Sequence, residues 1–344
     1  MKSLIEIISE AISDDLKQQL IDIIQSPEFT DKQAKKMIRA IDDPKLLIDT
    51  LYSYFEERGC EDDVKNIIRI LNANDDIDSF IELTNNKDSL PTAKDFIKSS
   101  NVYDLFASTS ISKNALQELA EEKPSRRSIT RGAFEILCEL LLRDINAGNK
   151  NYSGKAGDIN AGGLAIEFKG PKACVKGQKE HNASLIDDEF NKIYKTIVPD
   201  HKDAKQIFAS QKNMKVYFDD LNVADDVIFE IISKSLQAQY DFNEDLSSLQ
   251  PSIVKNGKVN YSNVTRLMGC IQLKGYWEDE HWDYICIFHG KEGDLAIKKG
   301  DYTCIPATDA SDIVTTFNNS HITLTGGGNG YGTVRDSYCR IYYN

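Results

Sequence analysis

Three residues in the stretch Ser153–Pro171 (SGKAGDINAGGLAIEFKGP) have the types and spacing to do chemistry together: Asp158, Glu167 and Lys169. Asp158 stands shortly before an Ala-Gly-Gly segment (161–163) that reads as a turn, and Glu167 and Lys169 sit two apart in a β-like run. A strand has period two, so Ala165, Glu167 and Lys169 share one face while Leu164, Ile166 and Phe168 point to the other. Two carboxylates and an ammonium then converge at the open end of a hairpin. That set suits a hard divalent cation and the activation of a water for phosphodiester cleavage.

The element before the hairpin is a helix expected from about Thr130 to Asp144. It is apolar nearly all round, through Phe134, Ile136, Leu137, Cys138, Leu140, Leu141 and Leu142, which predicts burial. Its polar residues Glu135, Glu139 and Arg143 are four apart and form one stripe. Glu139 and Arg143 make a natural i, i+4 ion pair, so Glu139 is read as structural. Glu135 has the same option with Arg131, and its place near the helix start also suits an acid reaching toward a metal beside the hairpin.

Charge is distributed unevenly around these elements. The chain has 344 residues and a net charge of −13. Residues 1–122 carry 14 Lys and Arg against 25 Asp and Glu, residues 123–216 carry 17 against 11, and residues 217–344 carry 10 against 18. The one basic segment therefore holds the Asp158–Glu167–Lys169 constellation, and local positive charge is what phosphate contact requires. Arg126, Arg127, Arg131, Lys155, Lys172, Lys176 and Lys179 form the group expected to touch nucleic acid.

The rest of the chain divides by pattern. Residues 1–122 predict an acidic bundle of short helices, with Ser13, Thr30, Asp43, Asp62 and Thr92 as N-caps, and a role in docking a partner or as a scaffold. Pro124 and the reversal of charge mark the boundary with a second domain, 123–344. Further helices are expected near 183–197, 203–212, 224–237 and 263–276, and the polar stretch 239–262 reads as loop. From residue 282 the pattern turns β-rich, with strands at 283–289, 294–299 and 302–307, a short helix near 311–318, and two strands around the glycine-rich TGGGNGYG. That turn lacks the Lys-Ser/Thr of a phosphate-cradling loop. The seven cysteines are scattered without a CxxC pair, predicting reduced thiols and a cytoplasmic setting. The acidic N-terminus has no secretory-signal pattern, and no apolar run approaches the ~20 residues that span a membrane.

A helix carrying Arg-Gly-x-x-Glu (131–135), then Gly157-Asp158, then a hairpin into Ile-Glu-x-Lys (166–169) resembles the PD-(D/E)xK nuclease superfamily, which includes restriction endonucleases and archaeal-type Holliday junction resolvases. The resemblance covers about residues 126–215, with the core motif at 131–170. Gly157 stands where the family has proline. The resemblance implies an α+β or α/β fold in which the helical bundle precedes a restriction-endonuclease-like mixed sheet flanked by helices, in the order helix, strand, strand, strand, helix, strand. It implies Mg²⁺ or Mn²⁺ held by Asp158 and Glu167, Lys169 as the water-activating residue, and Glu135 as an auxiliary acid beside the metal. The implied activity is metal-dependent DNA endonuclease cleavage, with restriction-type specificity and a homodimer left open. A catalytically silent DNA-binding or structural module, in a phage particle or a multiprotein complex, is the alternative.

Overall fold

The computed structural model describes residues 54–55, 58, 60, 64–121, 134–146, 157–170, 174–176, 183–197, 207–219, 221–240, 242–289, 300–320, 322–325 and 338–343. They form mixed α+β structure in which helix predominates over small sheets. No described helix is long and apolar enough to cross a membrane. The chain falls into two compact units, one of residues 1–168 with 298–304 and one of residues 169–297 with 305–344. The boundary expected from charge, after residue 122, lies inside the first unit.

In the first unit, helices α1 (Val64–Ala73), α2 (Ile77–Asn85), α3 (Ala93–Lys98), α4 (Val102–Phe106) and α5 (Lys113–Glu121) precede α6 (Glu135–Leu141). Their apolar residues recur at helical spacing and are buried: Ile67, Ile70 and Leu71 on α1, and Ala115, Leu116, Leu119 and Ala120 on α5. Thr92 caps α3 as expected. Its Oγ1 accepts from Asp95 N at 3.3 Å, and Asp95 Oδ2 accepts from Thr92 N at 2.8 Å. These bonds from Thr92 hold the exposed Asp95 carboxyl below its ordinary range. The caps expected at Ser13, Thr30, Asp43 and Asp62 lie outside the described residues.

Every residue of α6 is buried, as its apolar circumference predicts. The helix ends earlier than expected, because Leu142 takes an extended conformation. Arg143 therefore lies beyond the last turn. It is exposed, and its Nη1 donates to Asp88 O at 3.4 Å. The i, i+4 geometry expected for Glu139 and Arg143 does not arise, and the buried Glu139 instead accepts from Cys60 Sγ at 3.5 Å.

What closes the C-terminal end of α6 is a buried arginine. Arg58, 2% exposed, donates through Nη1 to the carbonyls of Glu139 (2.9 Å), Leu140 (3.0 Å) and Leu142 (2.5 Å). Tyr54 Oη also donates to Leu140 O, and the Arg58 guanidinium lies 4.5 Å from the Tyr54 ring centroid. The last carbonyls of a helix have no partner within it, and its C-terminal end attracts positive charge.

The chain then runs beside the hairpin formed by β1 (Ile159–Ala161) and β2 (Leu164–Lys169). Ile145 bridges Ala161 antiparallel, and Asn146 N donates to Asn160 O at 2.7 Å. Asp144 joins two elements: its Oδ1 accepts from Ala93 N at 2.8 Å and its carbonyl accepts from Gly162 N at 2.8 Å. Residues 300–304 complete this unit. Val102 N donates to Gly300 O at 3.0 Å, Asn101 Nδ2 to Asp301 Oδ1 at 2.7 Å, and Tyr302 Oη to Phe96 O at 2.6 Å. Burial pushes the Tyr302 phenol far above its ordinary range, so it stays a donor.

The second unit contains β3 (Cys174–Lys176), α7 (Ala183–Ile197), α8 (Gln211–Phe218), α9 (Asp225–Tyr240), α10 (Gln250–Ile253), β4 (Val254–Lys255), β5 (Lys258–Val259) and α11 (Tyr261–Glu280). It continues through β6 (Tyr284–Phe288), the end of β7 (Tyr302–Pro306), α12 (Ala307–Ala310), α13 (Ile313–Asn319), β8 (Ile322–Thr325) and β9 (Tyr338–Tyr343). Helix α11 is its axis. Val264, Leu267, Met268, Cys270, Ile271, Leu273 and Tyr276 on it are all buried in one core cluster. β9 lies between β3 and β8 and pairs antiparallel with both.

Several expectations are corrected here. The described part of the helix placed at 203–212 is a short 3₁₀ turn (Ile207–Ala209) followed by the start of α8, because Ser210 Oγ caps that helix by accepting from Asn213 N at 3.1 Å. The stretch 239–262 is not loop throughout. It contains α10 and the β4–β5 hairpin, whose turn at Asn256 (φ 53°) and Gly257 (φ 70°) donates both N–H groups to the Asp225 carboxylate, at 2.8 and 2.6 Å. Cys60, Cys138 and Cys270 are buried thiols, but Cys286 and Cys304 are disulfide-bonded. Scattered cysteines carry no sequence signal for which ones the fold brings within bonding distance. The strand expected at 294–299 and most of the glycine-rich turn lie outside the described residues.

Burial pushes the Cys270 thiol up to about 12, which leaves it almost wholly protonated and unreactive. Native protein at pH 8 is therefore expected to leave Cys270 unlabelled by iodoacetamide, and unfolded protein to label it fully. Peptide mass spectrometry reads the result. Native labelling would contradict the packing of α11.

Candidate active site

The hairpin turn is set by its two glycines. Gly162 (φ 58°) and Gly163 (φ 77°) both occupy the left-handed region, as a two-residue type I′ turn requires. A Cβ on Gly162 would fall on Asp144 Oδ2, whereas Gly163 faces open space. Gly162→Ala is thus expected to cost about 2–4 kcal/mol and Gly163→Ala about 1 kcal/mol. Urea unfolding of the two variants measures the difference, and equal costs would contradict the Asp144 contact.

The turn fixes the register. Ile159 pairs with Ile166, Asn160 with Ala165 and Ala161 with Leu164. Asp158 lies at a bend just before the first paired residue of β1. Asp158 Oδ2 accepts from Phe168 N at 2.7 Å, which ties its carboxylate to the strand that carries Glu167.

Phe168, on the other face, packs edge-on against Phe96 at 5.6 Å between centroids, and Phe96 stacks on Tyr302 at 4.6 Å. Residues 165–168 are all buried, and Glu167 is 6% exposed. β2 is therefore covered on both faces, so Glu167 does not lie on a solvated strand.

Gly157 also has a physical reason. A Cβ there would come within 3.0 Å of Ile166 N and 3.2 Å of Ile166 O. Backbone approaches this closely only where the residue lacks a side chain, so proline is sterically unwelcome at this position.

Lys169 ends β2 with its side chain partly buried. Its Nζ lies 5.0 Å from the centroid of the Tyr276 ring. Glu135 opens α6 and is 3% exposed. It follows Phe134, a non-glycine residue at φ 73°. Glu135 and Glu139 both add to burial in pushing the Cys138 thiol well above its ordinary range.

Among the described residues, no three His, Cys, Asp or Glu side chains gather closely enough to hold a metal ion. Asp158 is tied through Phe168 N to the strand that carries Glu167. Both are of the type that Mg²⁺ takes, since it keeps several waters and binds one or two carboxylates plus substrate phosphate. Arg126, Arg127, Arg131, Lys155, Lys172 and Lys179 lie outside the described residues, and Lys176 is on β3. Sequence reasoning missed Arg58 and Asp144, which hold the end of α6 and the hairpin turn, because no periodicity marks either.

Comparison with protein-family models, with curated proteins and with solved structures found no match for this chain.

Proposed function

We propose that this chain is a metal-dependent DNA endonuclease of the PD-(D/E)xK type. The observation that carries this reading is the hydrogen bond from Phe168 N to the Asp158 carboxylate, which ties Asp158 to the strand that carries Glu167 and Lys169. The chain order α6, β1, β2, β3, α7 also follows the family's order of helix, three strands and helix. β3 pairs with β9, in a different sheet from β1 and β2.

In this reading Asp158 and Glu167 hold Mg²⁺ or Mn²⁺. When bound, the ion supplies charge for the developing phosphorane oxygens and lowers the pKa of a water. The Phe168 N–H fixes the rotamer of Asp158, so its carboxylate does not have to be ordered when substrate arrives. Lys169 positions the attacking water from the same strand face. Glu135 is an auxiliary acid outside the ligand pair. The basic segment 123–216 meets the phosphate backbone, and the acidic helical region meets a protein partner.

Nicking of supercoiled plasmid with Mg²⁺ or Mn²⁺, and none with EDTA, is the expected result. Unchanged nicking by both Asp158→Ala and Lys169→Ala would sink the assignment. The absence of a third gathered acid among the described residues favours one other reading, a silent nuclease fold that binds DNA. Tight metal-independent DNA binding without cleavage distinguishes it. A defined fragment pattern distinguishes a restriction-type enzyme from a non-specific one.

A further inference from the structure

We infer that Tyr276 is a positioning residue that sets where the Lys169 ammonium stands. The inference rests on the nuclease reading, in which Lys169 orients the attacking water.

Lysine is a poor choice for precise placement by itself. Its ammonium rides on a four-carbon stem with about 2 kcal/mol of rotamer entropy. Free in solvent, such a group samples many positions, and only a fraction of them would meet a water lined up on phosphorus. In this protein the stem is partly buried, and Nζ lies 5.0 Å from the Tyr276 ring centroid, within cation–π range.

The ring itself is held firmly. Tyr276 is 6% exposed and belongs to the core cluster built on α11, the longest described helix. A tyrosine ring wedged between core residues has few rotamers available. The ammonium is thus referred to a rigid helix and not to a surface loop. The attraction comes from the ring face and not from the phenol, so phenylalanine at this position keeps it and leucine does not.

The test needs a signal that a merely structural tyrosine would not give. An aromatic ring shifts protons above its face upfield, so the ε-methylene of Lys169 is expected at an upfield position in protein labelled with ¹³C-lysine. Lys169→Ala assigns the resonance by its disappearance. The shift is expected to persist in Tyr276→Phe and to vanish in Tyr276→Leu. In the plasmid assay Tyr276→Leu is expected to lower kcat about tenfold with KM little changed, and Tyr276→Phe to restore it.

An ordinary Lys169 ε-methylene position in the unmodified protein overturns the inference, and no variant is needed to see it. So does a Tyr276→Leu protein that cleaves at the full rate. A protein that shows the shift but does not cleave under any metal condition overturns the nuclease reading instead, so the two failures are distinct.

Discussion

Glu167→Gln is expected to abolish cleavage. Glu167 is 6% exposed on β2, next to Phe168, whose N–H holds the Asp158 carboxylate. An amide keeps the shape and removes the charge. The same change removes half of the protein's contribution to the metal, and losses of about a thousandfold in rate correspond to the several kcal/mol such an ion supplies.

Asp158→Asn is expected to behave in the same way, because its amide oxygen still accepts from Phe168 N. Asp158→Ala differs: it loses that 2.7 Å bond and is expected to lose both stability and activity. Differential scanning calorimetry with and without EDTA, beside the plasmid assay, reads all three. Amide variants that still cleave at the full rate would contradict the carboxylate site.

Arg58→Ala is expected to be among the most destabilising single changes in the first unit, by about 3–5 kcal/mol, or roughly 6–15 °C in midpoint. Arg58 is 2% exposed and its Nη1 serves the carbonyls of Glu139, Leu140 and Leu142 at the end of α6. Truncation leaves those carbonyls buried without that donor, and an unmet buried acceptor costs about 1–3 kcal/mol. It also opens a void beside Tyr54, on whose ring the guanidinium lies. Arg58→Lys is expected to recover only part of the loss, since an ammonium lacks the flat guanidinium that lies on the Tyr54 ring. Circular dichroism melts provide the measurement, and a midpoint unchanged in Arg58→Ala would refute the capping role.

The residues on α6 and the hairpin were legible because local rules governed them. An apolar circumference dictated a buried helix, and two adjacent glycines dictated a tight turn. Once the turn was fixed, period two set which side chains shared a face. Thr92 and the helix at 183–197 were legible for the same reason, since caps and periodicity act within a few residues.

The pairing of Cys174 with Arg340 was not legible, because nothing in either short run marks a partner so distant in sequence. Arg58 was hidden in the same way, its three carbonyl partners lying more than 80 residues on. The β4–β5 hairpin is a different kind of omission. Asn256-Gly257 is a strong turn signal, but the polarity of 239–262 as a whole obscured two valines, Val254 and Val259, that pair across it.

The return of residues 300–304 to the first unit has a consequence in time. Phe96 stacks on Tyr302 and its carbonyl accepts from the Tyr302 hydroxyl at a separation of 206 residues, and Phe96 is also the ring against which Phe168 rests. A ribosome must therefore release most of the chain before the backing of the hairpin is complete. Contacts between such distant residues form slowly. Nascent chains and N-terminal fragments ending near Phe168 carry both acids on a hairpin that still lacks its outermost ring, so the acid pair gains its full support only late in synthesis.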